Sequence, residues 1–447
     1  MLLACTDING RLRVRPDFVD LPTRCGQIGI TVRAAICHAW DKNQMLTVLS
    51  LMDERSRPKG SRDPLGIEAI WSYMGRKVVG NLTTVTSNLD NFMVSLLCCA
   101  QANVSTDQLE QIQANFLRAE QLAAYLRLAA GNENFLGITR AKANFKSGQL
   151  PLGKAESAQI LSNQLSYGLW GLYSTAMQVA GLIKGSERKL TDQGRSLVSE
   201  MVQCLGEDQW QAFNALAQHS QLSMPDVEAL APAFNRMLRD SQLRRAVVQA
   251  LLNWQSARQL QVELYSRATE YLRHFNGEIS VPVFCKWLSE SSETSSDLRD
   301  TILQIQSLEP LLVLAGTLMD WLQGQKGSDR AALLDILQPR LEEGLGLTNA
   351  WQAVAKLPHR AFLMRLFEAA NASDAEALIN CVLEQNKLVM QQRGGAAWLE
   401  WQGDALRVRV ANDRASIPSS LGSHCQGKWW NTYFIGSFLQ IARQAVQ

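Results

Sequence analysis

Cationic side chains gather in one short turn near the middle of the sequence. Residues 184–189 read KGSERK, and a further arginine follows about one helical turn later. Lysine and arginine in an exposed turn can hold phosphate oxygens or acidic protein surfaces. The predicted contact residues, for DNA or for a partner protein, are Lys184, Arg188, Lys189 and Arg195. Glu187, in the same turn, offsets part of their charge.

Two more groups of cations lie far from this turn. The loop 53–66 holds two prolines and two glycines, which indicates an exposed segment. Its candidate phosphate contacts are Arg55, Arg57, Lys59 and Arg62. In 393–410, RGGAAWLEWQGDALRVRV, arginine and tryptophan on one hairpin can stack on bases or dock a protein. The candidates there are Arg393, Trp398, Arg407 and Arg409. For the loop, the simpler interpretation is an exposed segment whose charges are solvated. For the hairpin, the simpler interpretation is docking of a protein.

Acidic residues that would serve a metal-dependent nuclease are scattered. Glu187 and Lys189 have the Glu-x-Lys order but fall in the turn, whereas Glu400 and Asp404 flank the late hairpin without a following lysine. Each is predicted to be a solvated charge, and a cryptic nuclease stays an alternative. The sequence has no GxSxG, GxxxxGK[ST] or GxGxxG motif, so it predicts neither a known nucleophile turn nor a nucleotide loop, and no cofactor.

Cysteine and histidine do not follow a recognised metal-binding spacing. Cys37-His38, His424-Cys425 and Cys25 are the conceivable ligands, but adjacent residues are awkward ligands for one tetrahedral ion. No metal is therefore predicted. Nine cysteines, an odd number in a long chain, favour free and mostly buried thiols in a reducing cytoplasm.

Composition excludes a generally basic nucleic-acid binder. The chain has 447 residues, with 44 Lys and Arg against 42 Asp and Glu, which gives a net charge of +2. With 46% hydrophobic residues it can bury a large core. The most membrane-like run, residues 311–318, is far shorter than the ~20 apolar residues that a span needs, so no membrane association is expected.

Hydrophobic periodicity predicts a mainly α, multi-domain helical protein with a small C-terminal β-hairpin. Helices are predicted at 67–79, 89–100, 105–130, 155–165, 167–180, 192–205, 207–219, 226–238, 240–275, 281–290, 297–323, 329–343, 348–355, 359–370, 373–391 and 433–446. The predicted segments are a mixed α/β segment (1–62), a helical domain (63–150), a central module (151–206), a second helical domain (207–392), and the hairpin with an aromatic-rich helix (393–447).

The central module resembles a winged helix-turn-helix domain. The resemblance covers about 50 residues and rests on Gly181-Leu182-Ile183, a polar turn, Leu190-Thr191 and then a Gly-Arg-x-Leu helix start. It implies a cationic wing and a helix sized for the major groove. The presumed recognition helix, LWGLYSTAMQVA, contains no Arg or Lys, whereas base readout usually needs Arg, Asn or Gln. Burial against protein is therefore favoured over DNA contact.

Several sequence segments, spread over most of the chain, resemble those of uncharacterised helical subunits encoded in bacterial anti-phage defence gene clusters. The segments that carry this resemblance are DPLGIEAIW (63–71), GNLTTVTS (80–87), ILSNQLSYGLWGLYS (160–174), RGGAAWL and NTYFIGSFLQIA. It implies a subunit that works beside an ATPase, helicase or nuclease encoded nearby, and it carries over no site residues.

Three functions follow from these observations. The first is a non-catalytic adaptor subunit that docks partner proteins, with double-stranded DNA left open as a further contact. The second is a stand-alone winged-helix regulator that binds DNA. The third is the cryptic metal-dependent nuclease.

Overall fold

Apolar residues spaced three and four apart form helices in nearly every part of the chain that the structure describes. The computed structural model describes residues 63–446 except 105, 255–256, 276 and 413–415, together with two short strands near the start of the chain. Nineteen α-helices and eight short strands occur within these residues, so the mainly α prediction is confirmed. The cationic candidates Arg55, Arg57, Lys59 and Arg62 lie outside the described residues.

The helices up to residue 205 are α1 (Ile67–Val78), α2 (Leu89–Ala102), α3 (Leu109–Ala129), α4 (Ile138–Ser147), α5 (Gln164–Tyr167), α6 (Leu169–Leu172), α7 (Ser174–Val179) and α8 (Asp192–Leu205). The later helices are α9 (Glu207–Leu216), α10 (Met224–Arg239), α11 (Ser241–Leu252), α12 (Gln259–His274), α13 (Val281–Glu290), α14 (Ser296–Gln323), α15 (Arg330–Leu337), α16 (Arg360–Asn371), α17 (Ala375–Gln392), α18 (Leu421–Gly427) and α19 (Ile435–Val446).

The strands form four separate antiparallel pairs. These are β1 (Cys5–Thr6) with β2 (Leu12–Arg13), β3 (Leu150–Pro151) with β6 (Gln221–Leu222), β4 (Ile183–Lys184) with β5 (Lys189–Leu190), and β7 (Leu399–Gln402) with β8 (Ala405–Val408). Two-stranded pairs of this length need support from helices to be stable.

Contacts within the chain define two compact units, Met1–Arg57 and Pro58–Gln447. In the second unit, one continuous cluster of buried apolar side chains extends from Leu65 to Ala442. The five sequence segments proposed above remain a prediction, since elements from several of them contribute to this cluster.

Helix α14 runs through the core of the second unit. It contacts α1, α12, α13, α16, α17 and α18. Its 28 residues include one window that is long and apolar enough to cross a membrane, but 78% of that window is buried inside the protein. Such burial is typical of a core helix, whose apolar surface is covered by protein on all sides.

Some predicted helix bounds are wrong. The helix predicted from residue 105 begins at Leu109, with Gln108 as a cap residue that makes no side-chain capping bond, and Ser105 lies outside the described residues. Residues 155–163 form turns instead of a helix. The 348–355 segment forms a single 3₁₀ turn at Ala350–Ala353.

The predicted 240–275 helix is two helices, α11 and α12, that join at an irregular segment. The side-chain amide of Asn81 donates to the Leu251 carbonyl oxygen at 2.9 Å, where α11 ends. Trp254, just beyond that end, is buried. Both helices pack against α19, so tertiary packing outweighs the local preference for one long helix.

Thr191 begins α8 in the manner that its sequence position predicts. Its hydroxyl accepts from the Gly194 amide at 3.2 Å and donates to the Gly181 carbonyl oxygen at 2.6 Å. We expect Thr191→Ala to lower the free energy of unfolding by about 1 kcal/mol, because one amide of the first turn loses its acceptor. Chemical denaturation measures this change. Thr84→Ala, at an exposed threonine, is the control, and an equal loss there would contradict the capping role.

Candidate functional site

The turn between β4 and β5, which we call the wing, folds tightly back on itself. Gly185 and Arg188 both have positive φ angles, of 73° and 57°. The Gly185 carbonyl oxygen accepts from the Arg188 guanidinium and from the side-chain amide of Gln178, each at 3.0 Å. These bonds tie the tip of the wing to the end of α7.

Two of the wing's four cations pair with carboxylates of the same chain, and a third lies over an aromatic ring. The Arg188 guanidinium lies 5.3 Å from the centre of the Trp170 ring. Lys189 Nζ lies 2.7 Å from Asp107 Oδ1, a contact that lowers the pKa of Asp107. Arg195 pairs with Asp192 on the same helix. Lys184 is exposed and has no ion pair among the described residues.

The wing also rests on the end of α2. The side-chain amide of Asn103 donates to the Glu187 carbonyl oxygen at 3.2 Å. Val104, the next residue, is 76% exposed, and Val179, next to Gln178, is 45% exposed. The tip therefore lies between two exposed apolar side chains.

The segment predicted as the recognition helix 167–180 is broken into α5, α6 and α7. The interruption at Gly168, between α5 and α6, is made by a buried carboxylate, Glu120 on α3, which accepts from the Leu169 amide at 2.8 Å and from the Gln164 side-chain amide at 2.9 Å. A Cβ on Gly168 would come within 2.7 Å of Glu120 Oε1, so glycine permits this approach. Burial raises the pKa of Glu120 to about 7.

The β7–β8 pair carries its own charge compensation. Glu400 Oε1 lies 2.7 Å from Arg409 Nη2 and 3.5 Å from Arg407 Nη1. Gly403, with φ of 62°, and Asp404 connect the two strands. The carboxylate of Glu400, a candidate nuclease residue, thus forms ion pairs with two guanidinium groups.

Arg393 and Trp398 support the hairpin from its base. Arg393 Nη1 donates to the Asp63 carbonyl oxygen at 2.6 Å, and its Nη2 lies 3.8 Å from the Asp63 carboxylate. Trp398 is 9% exposed, and its amide donates to the buried side chain of Asn386 at 2.8 Å. Both residues join the hairpin to the body, and Trp398 is almost wholly buried there.

Metal ligands do not converge in the described part of the chain. No group of three or more His, Cys, Asp or Glu side chains is placed to hold an ion there. Cys425 is buried, while His424 Nε2 lies 3.0 Å from the Thr317 hydroxyl. The other conceivable ligands, Cys25, Cys37 and His38, lie outside the described residues.

A polar cleft, which we call the Asp90 cleft, lies between α2, the loop after α3, the α10–α11 turn and α19. Two adjoining cavities of about 700 and 480 Å³ form it and share Asp90, Asn134 and Arg244 in their walls. Arg239 and Arg443 lie in its outer walls. Sequence patterns did not indicate this cleft, because its residues come from five distant segments.

Asp90 organises the floor of the cleft. Its Oδ1 lies 2.6 Å from Arg244 Nη1, and its Oδ2 lies 3.7 Å from Arg127 Nη2. Arg127 is 2% exposed, and it also donates to Asn91 Oδ1 at 2.7 Å and to the Asn134 carbonyl oxygen at 2.5 Å. Two guanidinium groups therefore share one carboxylate in a partly desolvated position.

Comparison with protein-family models, with curated proteins and with solved structures gave no significant match. Function is therefore inferred from the geometry of the chain.

Proposed function

We propose that this protein is a non-catalytic adaptor subunit that docks partner proteins in the cytoplasm, within a bacterial anti-phage defence or DNA-processing complex. The observation that carries the proposal is the pairing of the wing and hairpin cations inside the chain. A surface that grips DNA leaves its lysines and arginines free to displace counterions from phosphates. Arg188, Lys189 and Arg409 are instead held by the protein's own rings and carboxylates.

The residues 151–206 act in this proposal as a winged-helix-like docking module. A short antiparallel pair followed by a capped helix supports the resemblance. The helical segment before the wing is divided into pieces of four to six residues, with Leu169, Trp170 and Tyr173 buried. A groove-reading helix needs several consecutive turns with polar side chains outward, so protein contact suits this module better.

The wing tip has the mixed character of a protein interface. Val104 and Val179 are exposed beside it, and Glu187 and Lys184 contribute one charge of each sign. DNA phosphates would be repelled by the Glu187 carboxylate, whereas a protein surface can complement both charges around an apolar centre. The partner that fits is the ATPase, helicase or nuclease encoded beside this protein.

The experiment is co-expression of the chain with each neighbouring gene product, followed by size-exclusion chromatography and affinity measurement. We expect Val104→Glu to weaken the complex at least tenfold, since a carboxylate would be buried in the contact. Val283→Glu, at a half-exposed valine on α13, is the matched control. Thermal unfolding of both variants checks that the fold is retained.

Two results would overturn the proposal. One is tight binding of a DNA duplex that falls steeply with salt and is lost in Lys184→Ala, which would establish the DNA-binding regulator. The other is metal-dependent cleavage of plasmid DNA that Glu187→Gln or Glu400→Gln abolishes, which would establish the nuclease. If the Val104→Glu variant binds the partner as tightly as the Val283→Glu variant does, the wing is not the docking surface.

A further inference from the structure

The Asp90 cleft has a surplus of guanidinium groups. Arg239, Arg244 and Arg443 line it, and Arg127 lies behind Asp90. The carboxylates in its walls are Asp90, Glu133 and Glu278, and Glu133 already pairs with Lys142. The cleft is therefore left with positive charge that the chain does not neutralise.

We propose that the Asp90 cleft binds the phosphate group of a small phosphate monoester. Guanidinium groups match phosphate oxygens with two parallel N–H donors and hold them more strongly than neutral donors do. Arg239 is exposed and makes no ion pair among the described residues. Arg443 donates to the Gly277 carbonyl oxygen at 2.7 Å through one nitrogen, which leaves further N–H groups for a ligand.

The inner guanidinium groups are held in place before any ligand arrives. Arg244 Nη1 donates to Asp90 Oδ1 and to the Leu238 carbonyl oxygen, each at 2.6 Å, and its Nη2 donates to Gln444. Burial lowers the pKa of Arg127 to about 10, so this side chain still carries its charge at neutral pH. Arg127 Nε is buried without an acceptor. Arg127 lies behind Asp90 and outside the cleft lining, so it adds positive charge but no donor to the ligand. The fixed Arg244 can bind an anion with little loss of side-chain entropy.

Both cavities are open to solvent, and it is their remaining walls that favour a small molecule over a polymer. Cavities of about 700 and 480 Å³ fall in the range of small-ligand sites. Beside the arginines, the walls offer amides and a hydroxyl, from Asn132, Gln440 and Ser87, which suit the hydroxyl groups of a sugar. Glu278 and Glu133 at the rim disfavour an extended chain of phosphates.

Isothermal titration calorimetry of the full chain tests this inference with inorganic phosphate and with adenosine monophosphate. We expect both to bind, the monoester more tightly, and Arg239→Gln to weaken binding by about tenfold, the loss of one charge-assisted contact. Arg245→Gln is the matched control, because Arg245 is exposed, donates to Ser241 and does not line the cleft. Arg443→Gln provides a second, independent variant.

Several outcomes would refute the phosphate site. These are no binding at millimolar concentration, an equal loss in Arg245→Gln, or unchanged binding in both Arg239→Gln and Arg443→Gln. A 5′-phosphorylated oligonucleotide that binds more tightly than adenosine monophosphate would show that the ligand is a nucleic-acid end and not a small molecule. Failure here leaves the docking proposal untouched, since the cleft and the wing use different residues.

Discussion

Replacing Glu309 by alanine is expected to lower the free energy of unfolding by about 3 kcal/mol, because each buried donor left without an acceptor costs about 1–3 kcal/mol. Glu309, on α14, is fully buried. Its carboxylate accepts from the Trp430 amide at 2.6 Å, the Asn431 amide at 2.9 Å and the Tyr433 hydroxyl at 2.6 Å. Alanine would leave these donors without an acceptor in the interior.

The same carboxylate stabilises a backbone shape that would otherwise be unfavourable. Tyr433 and Phe434 are consecutive residues with φ of 50° and 61°, and left-handed backbone is costly for non-glycine residues. The Tyr433 carbonyl oxygen lies so close to Gly75 that a Cβ there would approach it to 2.6 Å. Loss of Glu309 would thus release the strained segment that precedes α19.

Chemical denaturation of the Glu309→Ala variant measures the loss. Asp300→Ala, at an exposed carboxylate on the same helix, is the control and is expected to change stability little. Equal stability of the Glu309→Ala and Asp300→Ala variants would contradict the role of Glu309.

The second large effect is a dependence of stability on pH that comes from Glu120. Its pKa is raised by burial from about 4.5 to about 7. Between these values the folded state keeps a proton that the unfolded state has released, so stability falls as pH rises through this window. The contribution across the window is about 3 kcal/mol, at 1.36 kcal/mol for each pKa unit.

The variant Glu120→Gln separates this contribution from those of other acids. Glutamine does not titrate, so we expect the difference in unfolding free energy between variant and wild type to change by about 2 kcal/mol between pH 5 and about 7, the larger part of the whole contribution. Glu110→Gln, at an exposed carboxylate on the same helix, should give a difference that is nearly constant with pH. A Glu120→Gln variant that keeps the wild-type slope would show that Glu120 is ionised throughout.

The sequence predicts those parts of the fold that depend on interactions between residues close together in the chain. Apolar spacing predicted α2 and α14 nearly to the residue, and the Thr191 cap of α8 is an interaction between neighbours. The break at Gly168 was not predictable, because its cause is Glu120, 49 residues earlier than its partner Leu169. The sequence position of a glutamate within an amphipathic helix does not indicate which distant segment its carboxylate will contact.

For the candidate contact residues, too, the sequence does not predict interactions between residues far apart in the chain. The sequence identifies candidate lysines and arginines by type and position, but it does not show which carboxylates lie beside them. Lys189 meets Asp107 across 82 residues, and Arg244 meets Asp90 across 154. Long-range pairing of this kind engages Lys189 of the wing, and it also forms the floor of the Asp90 cleft.

The position of α19 has a consequence for how the chain reaches its folded state. This helix, Ile435–Val446, covers α11 and α12, and Gln444 accepts from Arg244, 200 residues earlier. A growing chain on the ribosome therefore holds the apolar sides of α11 and α12 uncovered while nearly half of the protein is still being made. Closing so long a loop is entropically slow, and exposed apolar helices attract chaperones in the meantime. The packing of α11 and α12 is therefore completed only after the long segment that leads to α19 has been made.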